Sequence, residues 1–343
     1  MIIIRPIKRS DLDSIYELSA FAKSGLTTLP HDKEVLLKRI EESVISFNKN
    51  SDQPNGETYF FVSEDLKENK IIGTSAIVSK IGGFLPSWTY EIKTFETHSQ
   101  TLGVSKEIRY LQLKADHNGP SEIGTLFLHP DYRINQNGRF LSLSRFMFIA
   151  CFRRAFEDQV LAEMRGVIDE EGKTVFWEAL GRHFFDVDFN YADYKTMQDK
   201  SFIEELMPKN PIYIPLLPKE AQMVIGQVHP NTRPAQRLLE KEGFTFNGEV
   251  DIFEAGPNME VKTDEIRTVK QACEYKVSEK SLQTKKDNDA KYFIVAKFNR
   301  MDEYRTTVTN QIEFEYETVL LKENILEALN INSGDTVKVS PLR

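Results

Sequence analysis

Three consecutive isoleucines, Ile2–Ile4, closed by Pro6, predict a short buried strand at the start of the chain. Asp11 stands where a helix N-cap belongs, and Leu12, Ile15 and Leu18 follow at helical spacing. After the loop Gly25–Pro30, a second helix is predicted over about Lys33–Phe47. A polar turn at Ser51–Glu57 leads to two strands, Thr58–Ser63 and Lys70–Ser79, around the charged turn Glu64–Asn69. Between Gly82 and Pro120 the pattern weakens, and only Tyr90–Thr97 and Arg109–Leu113 read as strands.

Ser121–Pro130 is the clearest strand, and a helix apolar on both sides follows from about Phe140 to Phe156. Such a helix belongs between a sheet and further structure. A strand at Leu161–Ile168, a helix around Val175–Leu180 and another ending near Leu206 come next. Gln222–Val228 fits a strand or a short helix. Pro234–Glu242 is amphipathic, with Gly243 at the position of a helix C-terminal glycine and Phe244 opening a strand. Beyond Gly256-Pro257 the chain becomes charged and strand-rich, ending in LLKENILEAL, Gly334-Asp335 and a strand at Thr336–Val339. This change predicts a domain over residues 1–260 and a small β-rich domain over 261–343.

The length of 343 residues suits roughly two domains. An apolar share of 40% and a charged share of 28% exclude disordered, collagenous and coiled-coil chains. No apolar run approaches the ~20 residues needed to cross a bilayer, so no membrane partner is expected. The start MIIIRPIKRSDLD lacks the apolar core and cleavage site of a signal peptide. Two cysteines, Cys151 and Cys273, make no disulfide framework and lack metal-site spacing, so a cytoplasmic location is expected. With 44 basic and 52 acidic residues the net charge is −8, which disfavours nucleic acid as the main partner.

One segment carries candidate chemistry. The strand ending at His129-Pro130 runs through Asp131–Arg139 into the apolar helix. A strand, a tight loop and a helix N-terminus bring backbone N–H groups and the positive helix end together, a ready anion site. Gly138 allows close approach by a phosphate, and Arg133 and Arg139 add charge. An ordinary strand-to-helix turn has the same spacing, and spacing alone leaves both readings standing.

This segment resembles the pyrophosphate loop of the GNAT-type acyl-CoA N-acyltransferases, in which Arg or Gln is followed, after two residues, by Gly, one residue, and Gly or Ala. Arg133 and Gly138 match, whereas Gln136 stands where the first glycine is expected. The opening IIIRPIKRSDLDSIYEL and the stretch AQRLLEKEGF (235–244) resemble the first strand and helix of that superfamily and its entry to the last strand. The chain as a whole resembles the bacterial arginine N-succinyltransferases and the arginine/ornithine succinyltransferase chains. The carrying segments are GLTTLP (25–30), TLFLHPDYR (125–133), LSRFMFIACFR (143–153), AEMRGVIDEEG (162–172), FIEELMPKNPIY (202–213), IGQVHP (225–230) and EKEGF (240–244).

The resemblance implies an α/β fold with a mixed, largely antiparallel sheet flanked by helices, and CoA entering where central strands splay. It implies succinyl transfer from succinyl-CoA, as co-substrate rather than bound cofactor, to the α-amino group of L-arginine, giving N2-succinylarginine in arginine catabolism. His229 matches the family position for proton transfer, with imidazole chemistry suited to neutral pH. Its residue type alone favours a cap before Pro230. Leu126 matches the position of succinyl-CoA contact, through backbone groups freed by the splay. The succinyl carboxylate needs a cation and the guanidinium needs carboxylates. Among the matching segments Arg165, Glu163, Asp169 and Glu170 are candidates, as are Lys23, Ser24 and Thr27 beside the 25–30 loop.

Cys151 sits in an apolar helix and reads as core, not as a nucleophile. His31, His98, His117, His129 and His183 have no metal-ligand spacing, so no metal is expected. Three alternatives remain at this stage: ornithine as the amine, a non-catalytic CoA-binding subunit, and another acyl donor. Related chains occurring in pairs imply a homo- or hetero-oligomer.

Overall fold

A computed structural model describes every residue except 23–25, 27, 280, 281, 283–290 and 343. The candidates Lys23, Ser24 and Thr27 lie outside the described residues. The first half contributes strands β1 (Ile2–Pro6), β2 (Thr58–Asp65), β3 (Lys70–Val78), β4 (Gly82–Ser99), β5 (Val104–Asn118), β6 (Ser121–Leu128) and β7 (Gln159–Glu163). β8 (Ile212–Tyr213), β9 (Thr245–Asp251), β10 (Pro257–Lys262), β11 (Cys273–Val277), β12 (Phe293–Lys297), β13 (Arg305–Thr309), β14 (Ile312–Glu315), β15 (Thr318–Leu321) and β16 (Thr336–Pro341) follow. All are joined in one sheet of order β14-β15-β11-β16-β12-β13-β1-β2-β3-β6-β7-β10-β9-β4-β5-β8. Among the described residues only the β6–β7 and β11–β15 pairings are parallel, so the sheet is mixed and largely antiparallel.

Helices cover both faces. On one face lie α1 (Leu12–Ser19) and α2 (Lys33–Lys49), packing Ile15, Leu18, Leu36 and Ile40 against Phe60, Val62 and Phe127. Asp32 caps α2 by accepting the N–H groups of Glu34 and Val35. On the other face α3 (Asn137–Cys151) buries almost every side chain against Ile72, Ile123, Val160 and Ala162. It is shorter than its apolar pattern predicts: the chain turns at Phe152, and Arg153–Ala155 form a separate turn. Five short helices, α4 (Val175–Ala179), α5 (Arg182–Phe185), α6 (Phe189–Lys195), α7 (Ser201–Leu206) and α8 (Lys219–Val224), surround a second core. Trp177 is its centre, stacked on both Phe185 and Phe253, whose rings also meet each other. α9 (Arg233–Glu242), α10 (Arg267–Gln271) and α11 (Glu323–Leu329) complete the fold. Gln222–Val228 resolves as helix α8 followed by a turn.

The weakly patterned region from Gly82 to Pro120 is one long hairpin, β4–β5, paired from Ser87↔Asp116 out to Ser99↔Val104. Most of its outer part faces solvent on both sides, and so lacks the alternation that marks a half-buried strand. The break placed at residue 260 falls inside β10, which is paired with β7 on one side and β9 on the other. The strand-rich C-terminal segment starts after Lys262. It has its own core around Val295, Val319, Leu329 and Val337. It also continues the main sheet through Ile3↔Thr307 and Ile4↔Thr306. Tyr304 reaches from it into the α3 core, where its ring meets Phe148 and Phe61.

Candidate active site

The centre of the site is the place where two parallel strands part. β6 and β7 pair only at Ser121↔Val160 and Glu122↔Leu161. Beyond this point β7 turns toward β10 and the segments that follow α8, and the edge of β6 facing it is left without a ladder. Within β6, Thr125 has φ 50°, an uncommon conformation for a β-branched residue. The β3–β6 register shifts between Thr74/Phe127 and Ala76/Gly124, which makes this a β-bulge. The Thr74 hydroxyl donates to the Thr125 carbonyl at 3.0 Å and holds the distortion in place. Thr125 and Leu126 are the two residues of the bulge, standing together opposite Ser75 on β3.

The far lip is built on the continuation of β7. The N–H of Met164 donates to the Pro257 carbonyl at 3.0 Å, and the Arg165 carbonyl accepts the N–H of His229 at 2.8 Å. The N–H of Gly166 donates to Glu254 Oε1 at 2.7 Å. Glu254 belongs to a tight loop after β9. There Asp251 Oδ1 accepts the N–H groups of Phe253 and Glu254, both at 2.7 Å, and Ala255 has φ 54°. The loop lies against β7 so closely that a Cβ on Gly166 would stand 2.4 Å from the Glu254 carbonyl oxygen. One on Gly256 would stand 2.0 Å from that of Met164. Two glycines are therefore required for this contact.

His229 caps the turn Pro230–Thr232: its Nδ1 accepts the N–H of Asn231 at 3.1 Å. That bond leaves the hydrogen of the neutral ring on Nε2. Burial, and next the positive charge of Arg165, lower the His229 pKa from its ordinary value, while the Ile168 backbone carbonyl opposes the shift. The ring is neutral at pH 7. His129-Pro130-Asp131 forms a second turn of the same construction, with Nδ1 accepting the N–H of Asp131 at 3.3 Å. The His129 ring is packed edge-on against Phe21.

The face of the sheet that carries Glu163 forms an acidic recess. Glu163 touches solvent, yet protein surrounds it on most sides, as expected for a group lining an open hollow. Burial raises its pKa well above the usual carboxylate range, and Glu122, Asp251 and Glu254 add to the effect. Asp193 on α6 is pushed up to about 7 by burial and then by Asp251, against Arg165. Glu254 is pushed up to about 8 by burial and then by Asp251, with Gly166 N–H and Arg165 pulling the other way. Lys200 offsets part of this charge at Glu122, Glu163 and Asp251, and Arg39 of α2 does so at Glu122. The Arg165 Nε is buried and has no hydrogen-bond partner among the described residues, and the same holds for both amide atoms of Asn258, directly opposite Glu163.

Glu163 and Arg165 thus stand together with His229. Asp169 and Glu170 do not join them: Asp169 accepts the N–H groups of Glu171 and Lys173 inside an exposed turn, and Glu170 is exposed beside it. Asp193, Asp251, Glu254, Glu122 and Lys200 escaped the sequence reading. They come from separate elements and share no motif.

The loop at the start of α3 supplies the other half of the site. Asn135 and Gln136 have φ 49° and 63°. Gln136 therefore adopts the left-handed backbone that a glycine would take there, and its exposed side chain accepts a hydrogen bond from Arg139 at 3.1 Å. Arg133 braces the strand end: its Nε donates to the Leu128 carbonyl at 3.1 Å and its guanidinium lies over Phe127. A Cβ on Gly138 would meet only Leu128 Cδ2, at 3.9 Å, so the space before it is open. The Asn137 N–H donates to the Ile134 carbonyl at 3.0 Å, and the N–H groups of Gly138 and Arg139, which follow in the first turn of α3, have no intrahelical acceptors. A separate cavity of about 730 Å³ lies further along the same sheet face, lined by Lys114, Glu249, Glu260 and Lys262 among others. None of the site residues lines it. Among the described residues, no group of three or more His, Cys, Asp or Glu side chains is arranged to hold a metal ion, and no helix is long and apolar enough to cross a membrane.

Splayed central strands, a bulge at the opening and a left-handed loop leading into a helix start form the frame of an acyltransferase site. The family model described as arginine N-succinyltransferase beta subunit matches residues 2–268. Arginine N-succinyltransferase of Yersinia pestis (strain Pestoides F) is 40% identical over 346 residues, covering 100% of this chain and 98% of its own. That of Escherichia coli (strain 55989 / EAEC) is 40% identical over 341 residues, 99% and 97% of the two chains. Subunit AI of the arginine/ornithine succinyltransferase of Pseudomonas aeruginosa superposes with a TM-score of 0.87 at 30% identity, over 100% of this chain and 99% of that one. The chain belongs to the arginine N-succinyltransferase family.

Proposed function

We propose that the protein transfers the succinyl group of succinyl-CoA to the α-amino group of L-arginine, giving N2-succinylarginine and CoA. The observation that carries this reading is the full-length relationship to arginine N-succinyltransferases, supported by the parting of β6, which carries Leu126, from β7, whose continuation holds the His229 backbone. The pyrophosphate of CoA rests on the N–H groups at the start of α3, beside Gly138, with Arg139 adding charge and Arg133 keeping the loop in place. The pantetheine arm runs along the open edge of β6, and the thioester oxygen takes a backbone N–H near Leu126.

His229 works through Nε2. Asn231 fixes the tautomer, and the neutral ring offers its Nε2–H as a hydrogen bond to the departing sulfur, stabilising the thiolate as it forms. Arg165, with Nε lacking a partner, suits the succinyl carboxylate. Glu163 and its neighbours suit the guanidinium. Ornithine is a second acceptor to be weighed, since the Pseudomonas relative is named for both amino acids. Assembly with a like or related chain and a cytoplasmic location complete the proposal. Both cysteines are free thiols, which suits a reducing compartment. Mass spectrometry of the product tests the reaction: arginine carrying one succinyl group on N2 supports it. An untouched arginine pool, or acylation of another nitrogen, refutes it.

A further inference from the structure

We propose that Glu254 accepts the proton of the substrate's ammonium group, while His229 supports the departing sulfur with a hydrogen bond. The inference rests on the aminolysis reading above and adds a residue to it. Glu254 Oε1 is held by Gly166 N–H at 2.7 Å, and the other face of that same peptide unit holds His229. The two residues are thus fixed to one another through the Arg165–Gly166 peptide, and the Arg165 charge faces both. Among the described residues no hydrogen bond engages Oε2. The carboxylate is aimed by two rigid contacts, the Asp251 turn and the glycine-only approach of Gly166 and Gly256. It is thus preorganised and left with one vacant acceptor.

The groups that face it are Asp251 on its own loop, Arg165 on the continuation of β7, Asp193 on α6 and Glu163 on β7. Lys200 faces Glu163 and Asp251. Three carboxylates against two cations raise proton affinity and favour an incoming cation. The resulting pKa of about 8 is close to that of an α-ammonium, which permits transfer in either direction. The step balances: the ammonium gives one proton to Glu254, the freed nitrogen pair attacks the thioester carbon, and a C–N bond forms. The C–S bond then breaks. The second nitrogen proton ends on the CoA sulfur, and Glu254 returns its own to solvent.

Glu254→Gln tests the assignment, because the amide oxygen still accepts the Gly166 N–H while Oε2 is lost as a base. Steady-state rates of variant and wild type are compared from pH 6.5 to 9.5. The expected result is a fall of about 100-fold in kcat/KM for the amine at pH 7.5, with KM for the acyl-CoA unchanged. The loss should shrink toward pH 9.5 as the amine ionises unaided. Near-wild-type rates at pH 7.5, or a loss of equal size at every pH, would overturn the assignment. If wild type fails with succinyl-CoA and arginine, the activity reading has failed. The comparison is then made with whichever pair from a panel of acyl-CoAs and amines the wild type turns over fastest. A wild type inert to the whole panel overturns both proposals.

Discussion

His229 and Glu254 grip one peptide unit from opposite sides: the Arg165 carbonyl takes the His229 N–H at 2.8 Å, and the Gly166 N–H goes to Glu254 Oε1 at 2.7 Å. A shift of this peptide moves both groups at once. Gly166→Ala would set a Cβ 2.4 Å from backbone and force such a shift. Overpacking of this kind costs about 1–3 kcal/mol. The expected outcome is a clear drop in Tm by calorimetry together with a fall in kcat of about tenfold or more, as small misplacements of reacting groups produce. Gly138→Ala, with only a contact at 3.9 Å, should leave Tm unchanged.

Removing the imidazole separates chemistry from structure. His229→Ala loses the Asn231 cap, worth about 1 kcal/mol, so the variant should fold. Its kcat should fall about 100-fold or more while acyl-CoA affinity holds. His229→Asn, which keeps a side-chain acceptor for the cap, should recover stability without recovering rate. Recovery of both would reduce His229 to a cap.

The raised carboxyls make stability depend on pH in a defined direction. Glu254 and Asp193 bind protons more tightly folded than unfolded, so folding is favoured below their unfolded pKa values, about 4. This contribution is lost as pH rises, until the folded values of about 7 and about 8 are passed. Asp193→Asn and Glu254→Gln should therefore raise Tm relative to wild type at pH 8 and leave it nearly unchanged at pH 4. Equal Tm values at pH 8 would contradict the shifts.

The acyl-CoA loop gives a stabilising prediction. Gln136 has a backbone φ of 63°, which glycine adopts without strain. Gln136→Gly should raise stability or leave it unchanged, within about 1 kcal/mol, and should not raise KM for the acyl-CoA. A several-fold rise would mean that the Gln136–Arg139 contact holds the loop for its ligand.

Some of this site was legible before any coordinates, because its parts are contiguous. The strand, loop and helix from Thr125 to Cys151 bring their chemistry with them, and the resemblance to the family singled out Leu126 and His229. The acidic recess was not legible. Asp193, Asp251 and Glu254 lie on α6, the end of β9 and the loop after it, elements that only the folded chain brings together. Glu254 also sits next to Gly256-Pro257, a pair that reads as a boundary, whereas the chain there enters a central strand. Asp169 and Glu170 misled for the opposite reason: an acidic run looks like a cation site, but its first carboxylate is consumed by its own turn. The long β4–β5 hairpin stayed hidden because much of it is exposed on both faces.

The most direct measurement is thiol release from acyl-CoA by the purified protein, with succinyl-CoA or acetyl-CoA as donor and L-arginine or L-ornithine as acceptor. The account predicts release that requires the amine, favours succinyl-CoA over acetyl-CoA by about tenfold or more through the charged contact its carboxylate makes, and is abolished in His229→Ala. Equal use of the two donors, or release that persists at full rate without His229, would contradict it.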